Sequence, residues 1–227
     1  MQPPEQWVEE LLKLNDQEQK MTDKQMKIIQ AAIETFSEKG YAASSTSEIA
    51  QKAGVAEGTI FRHYRTKKDL LLSIVAPMMA KLIGPFILRD FTKIIDAPYS
   101  SYEDFVRAVL LNRLEFARKN LPVIKILIQE IPFQEDLKKQ FKELVVKHVL
   151  SKVVKVVEQY QQKGTVITAP PLSIIRFTIS SVFGFVMTLL IIAPENDWEE
   201  NEEIELTIRM IMHGISRSAS DPTSQIE

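Results

Sequence analysis

Two short amphipathic segments around a glycine, within residues 46–69, constrain the fold of this 227-residue chain more than any other feature. Residues 47–53 have helical spacing, and Thr46 stands where a hydroxyl can cap the free N–H groups of a helix start. Gly54 follows at the point where a helix commonly ends in a left-handed residue, a conformation that costs glycine little. Residues 58–64 then begin a second helix. The pattern therefore predicts two short helices joined by a tight turn.

The outward side chains of the second helix are polar and basic. Residues 59–68 contain Arg62, Arg65, Lys67 and Lys68 and no acidic residue, although the whole chain has a formal net charge of −2. Positive charge concentrated on one helix is what contact with the phosphates of a nucleic acid requires. A helix of this kind is suited to the major groove of DNA.

The wider sequence around these helices carries many spaced matches to a known pattern. The matching positions are residues 28–32, 36–41, 46, 49–50, 53–55, 58–61, 63–64 and 67–70. Through them, residues 22–82, about a quarter of the chain, resemble the DNA-binding domain of the tetracycline-repressor (TetR) family of bacterial transcription regulators. The resemblance implies an all-α fold, with an N-terminal three-helix domain of the helix-turn-helix type and a C-terminal helical domain for ligand binding and dimerisation.

The same resemblance implies which side chains contact double-stranded DNA, with the recognition motif at about residues 45–64. They are Ser45, Thr46, Glu57, Gly58, Thr59, Phe61, Arg62, His63, Tyr64, Lys67 and Lys68. Arginine is the side chain that most often reads guanine, so Arg62 is expected to read a base. Family members often have tyrosine where this chain has Phe61, and the phosphate contact of that hydroxyl is not expected here.

Two residues of the motif have a second interpretation. Glu57 can accept a hydrogen bond from a cytosine amino group, or it can be a carboxylate favoured by the dipole at a helix start. Thr59 can help to bind a phosphate at the free N–H groups of the first turn, or it can merely cap the helix. The sequence leaves both pairs of alternatives open.

Beyond this domain the apolar spacing is helical and is interrupted by prolines. It predicts helices at residues 102–119, 121–130, 132–163, 172–192 and 199–216. The predicted organisation is an N-terminal extension at 1–21, the DNA-binding domain at 22–82, an effector-binding and dimerisation domain at 83–217 and a loose tail at 218–227. The extension has Trp7, Leu11 and Leu14 on one helical stripe, so it is either a short amphipathic helix or an acidic tail.

Apolar side chains of the second domain are candidates for an effector pocket and a dimer interface. The candidate pocket residues are Met78, Met79, Phe86, Phe105, Phe116, Arg176, Phe177 and Met187. Arg176 is expected to need a carboxylate partner or water, because it lies within an apolar helix, and it could also anchor an acidic ligand head. The helices at 172–192 and 199–216 have more apolar surface than one small domain can cover. We therefore expect Phe183 and Ile211 to lie in a homodimer interface.

Composition argues against other classes of protein. The chain has no cysteine and three dispersed histidines, and it has no phosphate-binding loop or nucleophile elbow, so no catalytic residue, metal site or cofactor is expected. No signal peptide is visible, which favours the cytoplasm. Residues 177–194 are uncharged and apolar, and a buried interface helix is favoured there over a membrane span.

Together these observations predict a ligand-responsive repressor. It would bind a palindromic operator as a homodimer, be released by a lipophilic small molecule and have no membrane partner. The alternative is a helical membrane-associated or interaction protein without specific DNA binding, which the basic recognition helix disfavours.

Overall fold

The computed structural model describes residues 22–78 and 90–214, and these residues are helical, with no strand among them. They group into two compact units that interleave along the chain. The first comprises the described residues up to Lys93 together with Phe116–Lys152, and the second comprises Ile94–Glu115 with the described residues from Val153 onward. The predicted all-α fold class is confirmed. The predicted division at residue 82 was linear, whereas the structure groups a central segment of the chain with the N-terminal helices.

Seven helical elements lie wholly in the first unit as described. They are α1 (Asp23–Ala43), α2 (Thr46–Ala53), α3 (Glu57–His63), α4 (Lys67–Met78), α7 (Leu121–Glu130), α8 (Glu135–Val145) and a π-helical turn (Val146–Leu150). A capping box opens α1, where the Gln25 N–H donates to Thr22 Oγ1 at 3.3 Å and the Thr22 N–H donates to Gln25 Oε1 at 2.9 Å. The core beneath them is built from fully buried aliphatic and aromatic side chains: Ile28, Ile29, Ile33, Phe36, Ile49, Ile60, Leu70, Leu71 and Ile74.

Helix α7 belongs to the first unit because it packs along α1. The contact is close at Gly40, whose φ of 79° and ψ of 161° interrupt the helical backbone near the end of α1. A Cβ at this position would lie 3.0 Å from Gln129 Oε1 of α7. Glycine is therefore required at residue 40 by its backbone conformation, whereas the flexible Gln129 side chain could shift away from a Cβ.

The second unit is built from α6 (Tyr102–Lys119), α9 (Ser151–Gln162), α10 (Pro171–Met187), a π-helical turn (Thr188–Ile192) and α11 (Glu200–His213). The boundaries between the units fall inside the short helix α5 (Thr92–Asp96), inside α6 and near the start of α9. The core of the second unit joins α6, α10 and α11 through the buried side chains of Leu110, Leu114, Val182, Leu189, Ile204 and Ile208.

One predicted helix is wrong in its extent. Residues 132–163 were expected to form a single helix, but Gln134 is extended, with φ −107° and ψ 103°, and α8 begins only after it. The helix is then interrupted by the π-helical turn before α9. Helices at 102–119 and 121–130 are confirmed with the predicted bounds.

The most apolar helix extends over Pro171–Ile192, comprising α10 and its π-helical turn. By length and composition alone it could cross a membrane, with a mean hydropathy of 2.0 over 18 residues, of which 22% are buried within the chain. Most of this window is therefore apolar surface that the described residues do not cover.

Candidate DNA interface

The start of α2 is fixed by Ser45 rather than by Thr46, which corrects the sequence prediction. Ser45 has an extended backbone, and its Oγ accepts a hydrogen bond from the Glu48 N–H at 3.1 Å. Thr46 is already the first helical residue. At the other end, Gly54 adopts the predicted left-handed conformation with φ 68°, and its N–H bonds to the last carbonyls of α2. The turn between α2 and α3 is thus built as the sequence indicates, with the cap one residue earlier.

Side-chain bonds hold α2 against α1. Lys52 bonds with Glu34 at 3.1 Å and Glu38 at 3.4 Å, both on α1, and Lys39 of α1 pairs with Glu48 of α2. These pairs lie at the surface, where each contributes about 0–1 kcal/mol. They link α2 to α1 but contribute little beside the packing of the buried Ile49, Ala50 and Ala53.

Helix α3 presents its polar side chains to solvent and its apolar side to the core. Ile60 is fully buried, whereas Arg62 and His63 are exposed and Phe61 is 48% exposed. Thr59 is half-buried, and its N–H donates to the Ala56 carbonyl at 2.8 Å. The N-cap of α3 is Ala56, and no described side chain caps this helix, so the cap interpretation of Thr59 is wrong.

Glu57, the first residue of α3, is bonded to α2. The Thr46 hydroxyl donates to Glu57 Oε1 at 2.6 Å, and both residues lie at the N-terminal ends of their helices. Glu57 itself is exposed, as is Gly58 beside it. The first turns of the two helices are thus joined by one short, charge-assisted hydrogen bond.

The structure gives Lys67 an intramolecular role that the sequence did not indicate. Its Nζ donates to the Tyr41 carbonyl at 2.7 Å and to the Ser44 carbonyl at 2.8 Å, and it lies 4.3 Å from the centre of the Tyr41 ring. These contacts bind the start of α4 to the end of α1. Since two of its three donors are engaged, Lys67 is poorly suited to serve mainly as a phosphate ligand.

Tyr64 is also engaged within the domain. It lies at the end of α3 and is half-buried, and burial raises the pKa of its hydroxyl. Its aromatic ring neighbours that of His63, with 6.3 Å between ring centres. DNA contact by Tyr64 and Lys67 stays a prediction, and the structure indicates that both stabilise the domain.

Arg65 is a basic residue of this surface that the sequence-based set omitted. It is exposed in the turn between α3 and α4, next to the exposed Lys68, and Thr66 caps α4 by accepting the Asp69 N–H at 3.0 Å. Among the described residues, no carboxylate pairs with Arg62, Arg65 or Lys68. We define these three residues as the basic face. The sequence signal was present, because Arg65 lies in the acid-free stretch 59–68.

The structure does not gather the predicted pocket residues around one described cavity. Phe105 is buried core, packed between the rings of Tyr99 and Tyr102, and Arg176 is exposed, so solvent can hydrate its charge without a carboxylate partner. Phe116 and Met187 are half-buried. Met79, Phe86 and the side chain of Met78 lie outside the described residues.

A half-buried arginine was missed in the second unit. Arg113 lies on α6, its Nη2 donates to Asn112 Oδ1 at 2.6 Å, and burial lowers its pKa to about 9. No sequence signal marks it, because Arg113 stands among the alternating polar and apolar residues of an ordinary amphipathic helix.

A largely apolar groove of about 610 Å³ runs between α10 and α11. Its lining includes Phe177, Gly184, Trp198, Met210 and Ile211, and a Cβ at Gly184 would meet no heavy atom within 4 Å. Phe177 is 50% exposed, and Phe183 is 49% exposed on the same helix. Of the predicted pocket residues, this groove includes Phe177, and of the predicted interface residues it includes Ile211.

Comparison with known proteins supports the assignment of the N-terminal helices to a helix-turn-helix domain. The family of bacterial regulatory proteins called tetR matches residues 28–74, which span α1 to most of α4. A fatty acid metabolism regulator protein of Bacillus subtilis is 45% identical over 60 residues, 26% of this chain and 31% of the relative. The matched part of this chain therefore spans about a third of that relative's length.

Solved structures share the fold over most of the chain. The transcriptional regulator FadR from Bacillus subtilis, solved with stearoyl-CoA, has a TM-score of 0.58 and 22% identity, covering 84% of this chain and 99% of its own. AibR, solved with isovaleryl coenzyme A and operator DNA, has a TM-score of 0.61 and 16% identity, covering 83% of this chain and 98% of its own. At these identities the likeness establishes the arrangement of helices.

Proposed function

The chain belongs to the TetR family of bacterial transcription regulators, and we propose that it is a cytoplasmic repressor that binds a palindromic operator as a homodimer. The observation that supports this most directly is the basic face of Arg62, Arg65 and Lys68 beside the exposed side chains of α3. Unpaired cations at the surface gain most from phosphates, because they displace the counterions condensed on DNA. Glu57 and Arg62 are the candidates for reading bases.

The DNA-binding part of the proposal is tested by a mobility-shift assay. The probe is the duplex upstream of the protein's own gene, measured over a salt series against a scrambled duplex of equal length. We expect tighter binding to the upstream duplex, with an affinity that falls linearly with the logarithm of salt concentration. Equal, weak binding to both duplexes at low salt would contradict specific recognition.

The proposed dimer uses the groove between α10 and α11, and its occupant is a second copy of this chain. Phe177 and Phe183 are each about half exposed and Met210 is 43% exposed. In a single copy of the chain, these large apolar side chains would lie in water. The open space at Gly184 lets a partner helix approach closely. A two-fold pairing of both helices forms a four-helix interface and places two copies of α3 on a palindromic site.

The proposed effector is a fatty acyl thioester of coenzyme A. The sequence left fatty-acyl, surfactant-like and cationic drug-like molecules open, and similarity to a fatty acid metabolism regulator and to structures solved with acyl-CoA favours the first. An effector releases DNA only if it binds the DNA-incompetent conformation more tightly. Candidate contacts remain Met78, Met79, Phe86, Phe105, Phe116, Arg176, Phe177 and Met187.

The effector proposal is tested by thermal shift and by DNA release. Stearoyl-CoA, a short-chain acyl-CoA and unacylated coenzyme A form the matched series. We expect the acyl compounds to raise the melting temperature and to release the upstream duplex, while coenzyme A does neither. Tight binding of an acyl-CoA without any change in DNA affinity would show that the two sites are not coupled.

A further inference from the structure

The bond between Thr46 and Glu57 joins the first turns of α2 and α3. The two residues lie eleven positions apart, at the N-terminal ends of α2 and α3, with 2.6 Å between Thr46 Oγ1 and Glu57 Oε1. Glu57 is exposed on the surface that also includes Gly58 and Arg62. The carboxylate is therefore held at the front of the recognition helix rather than left free to rotate.

The hydrogen-bonding capacity of each hydroxyl separates the roles of Thr46 and Ser45. A hydroxyl has one proton to donate. Thr46 donates it to Glu57, so Thr46 cannot donate to a phosphate while this bond exists. Ser45 uses a lone pair as the cap of α2 and keeps its proton for an external acceptor. Of the two hydroxyls, that of Ser45 is therefore the one that can donate to a phosphate, whereas that of Thr46 is engaged with Glu57.

A fixed carboxylate is selective in the major groove. An ionised carboxylate only accepts hydrogen bonds, and phosphates and base acceptors repel it. Guanine presents O6 and N7 and thymine presents O4, all acceptors, whereas adenine presents an N6 donor beside the N7 acceptor. Cytosine presents its N4 amino group with an acceptor on one side only, the O6 of the paired guanine, whereas adenine N6 lies between its own N7 and thymine O4. The carboxylate therefore meets the less opposed donor at cytosine.

We propose that Glu57 is a specificity-determining residue that requires a cytosine in each half-site, and that Thr46 positions its carboxylate through their hydrogen bond. This inference rests on the proposed function, since it assumes that α3 reads double-stranded DNA. It assigns a base preference to one side chain. If the Thr46–Glu57 bond only held α2 and α3 together and Glu57 did not contact DNA, no base preference would depend on Glu57.

The experiment is selection from a randomised duplex DNA library by the full chain, followed by affinity measurements on single-base variants of the selected site. We expect a cytosine at one symmetric position, and replacing it in one half-site should weaken binding about tenfold. Glu57→Gln should move the preference to a purine. Thr46 then holds the amide oxygen, and the Nε2 donor faces a base acceptor such as N7.

Three further variants separate positioning from simple folding. Thr46→Val removes the donor and should reduce the cytosine preference severalfold, while Thr46→Ser should restore it. Glu48→Gln is the matched control on α2, because Glu48 pairs with Lys39 rather than with Glu57 and its loss should leave the selected site unchanged. Thermal melting of each variant verifies folding.

The outcomes are distinct. The inference is overturned if Glu57→Gln selects the same site as the wild type, or if the site selected by the wild type has no cytosine at a symmetric position. In both cases, specific binding by the wild type still stands. Cytosine preference retained in full by Thr46→Val overturns the positioning role of Thr46. A wild type that enriches no sequence at all refutes the proposed function instead.

Discussion

Two adjacent lysines, Lys67 and Lys68, should respond differently to the same substitution. The sequence alone assigns both to phosphate contact. In the structure, Lys67 donates to the carbonyls of Tyr41 and Ser44 at 2.7 and 2.8 Å, while Lys68 is exposed and pairs with no described carboxylate. Substitution with methionine removes the charge from each and keeps most of the apolar stem. The pair is therefore a matched test of structural against DNA-binding roles.

The magnitude follows from the contacts. A hydrogen bond from a charged donor contributes about 1.5–3 kcal/mol, and a cation–π contact at an exposed site adds about 0.5–1 kcal/mol. Lys67 is only half-buried, so competition from water reduces the total, and we expect Lys67→Met to cost about 2 kcal/mol. At about 2–4 °C per kcal/mol, the melting temperature should fall by about 4–8 °C. Lys68→Met should change stability by less than about 0.5 kcal/mol.

Thermal melting and salt-dependent DNA binding together decide the question. Each lost phosphate contact lowers the slope of log affinity against log salt by about 0.9, so Lys68→Met should lower the slope by about 1.8 in a homodimer. Lys67→Met should melt early and leave the slope near the wild-type value when measured well below its melting temperature. If Lys67→Met melts with the wild type and flattens the slope as Lys68→Met does, the structural role assigned to Lys67 is refuted.

Three other substitutions test separate parts of the molecule. Gly40→Ala should destabilise the protein by about 1–3 kcal/mol in chemical denaturation, because φ 79° with ψ 161° is accessible to glycine almost alone. Gly164→Ala is its control, at a left-handed turn where a Cβ would meet no neighbour within 4 Å. Ile211→Glu should give monomers in analytical ultracentrifugation that no longer bind operator, whereas a persisting dimer would place the interface elsewhere. Arg62→Ala should weaken specific binding by about 1–3 kcal/mol and relax the preference at one base position per half-site, and an intact footprint would remove Arg62 from base reading.

Local sequence signals predicted the local structure well. The capping box at Thr22 and Gln25 and the left-handed Gly54 were recognisable because each depends on residues within a few positions of one another. The observed cap of α2 lies one residue before the predicted one, and this difference is also local. Ser44, Ser45 and Thr46 can all cap a helix, and the choice depends on Ser44 being buried with its hydroxyl bonded to the Gly40 carbonyl.

Long-range contacts explain what the sequence could not provide. Lys67 bonds to carbonyls 23 and 26 positions earlier, and no helical periodicity encodes that distance. The packing of α7 on α1 likewise places Phe116–Lys152 with the N-terminal helices, although a linear reading assigns that segment to the second domain. Arg176 was expected to need a carboxylate partner or water because its neighbours in sequence are apolar, and its exposed position on α10 gives it access to water.

A footprint of the wild-type protein on the duplex upstream of its own gene tests the central claim most directly. Measured with and without stearoyl-CoA, it should show two protected half-sites whose centres lie about one helical turn of DNA apart, or a multiple of it. Both protections should disappear together when stearoyl-CoA is added and persist when coenzyme A is added. Absence of protection at low salt, or protection of a single half-site that stearoyl-CoA leaves unchanged, would contradict a dimeric, effector-released repressor.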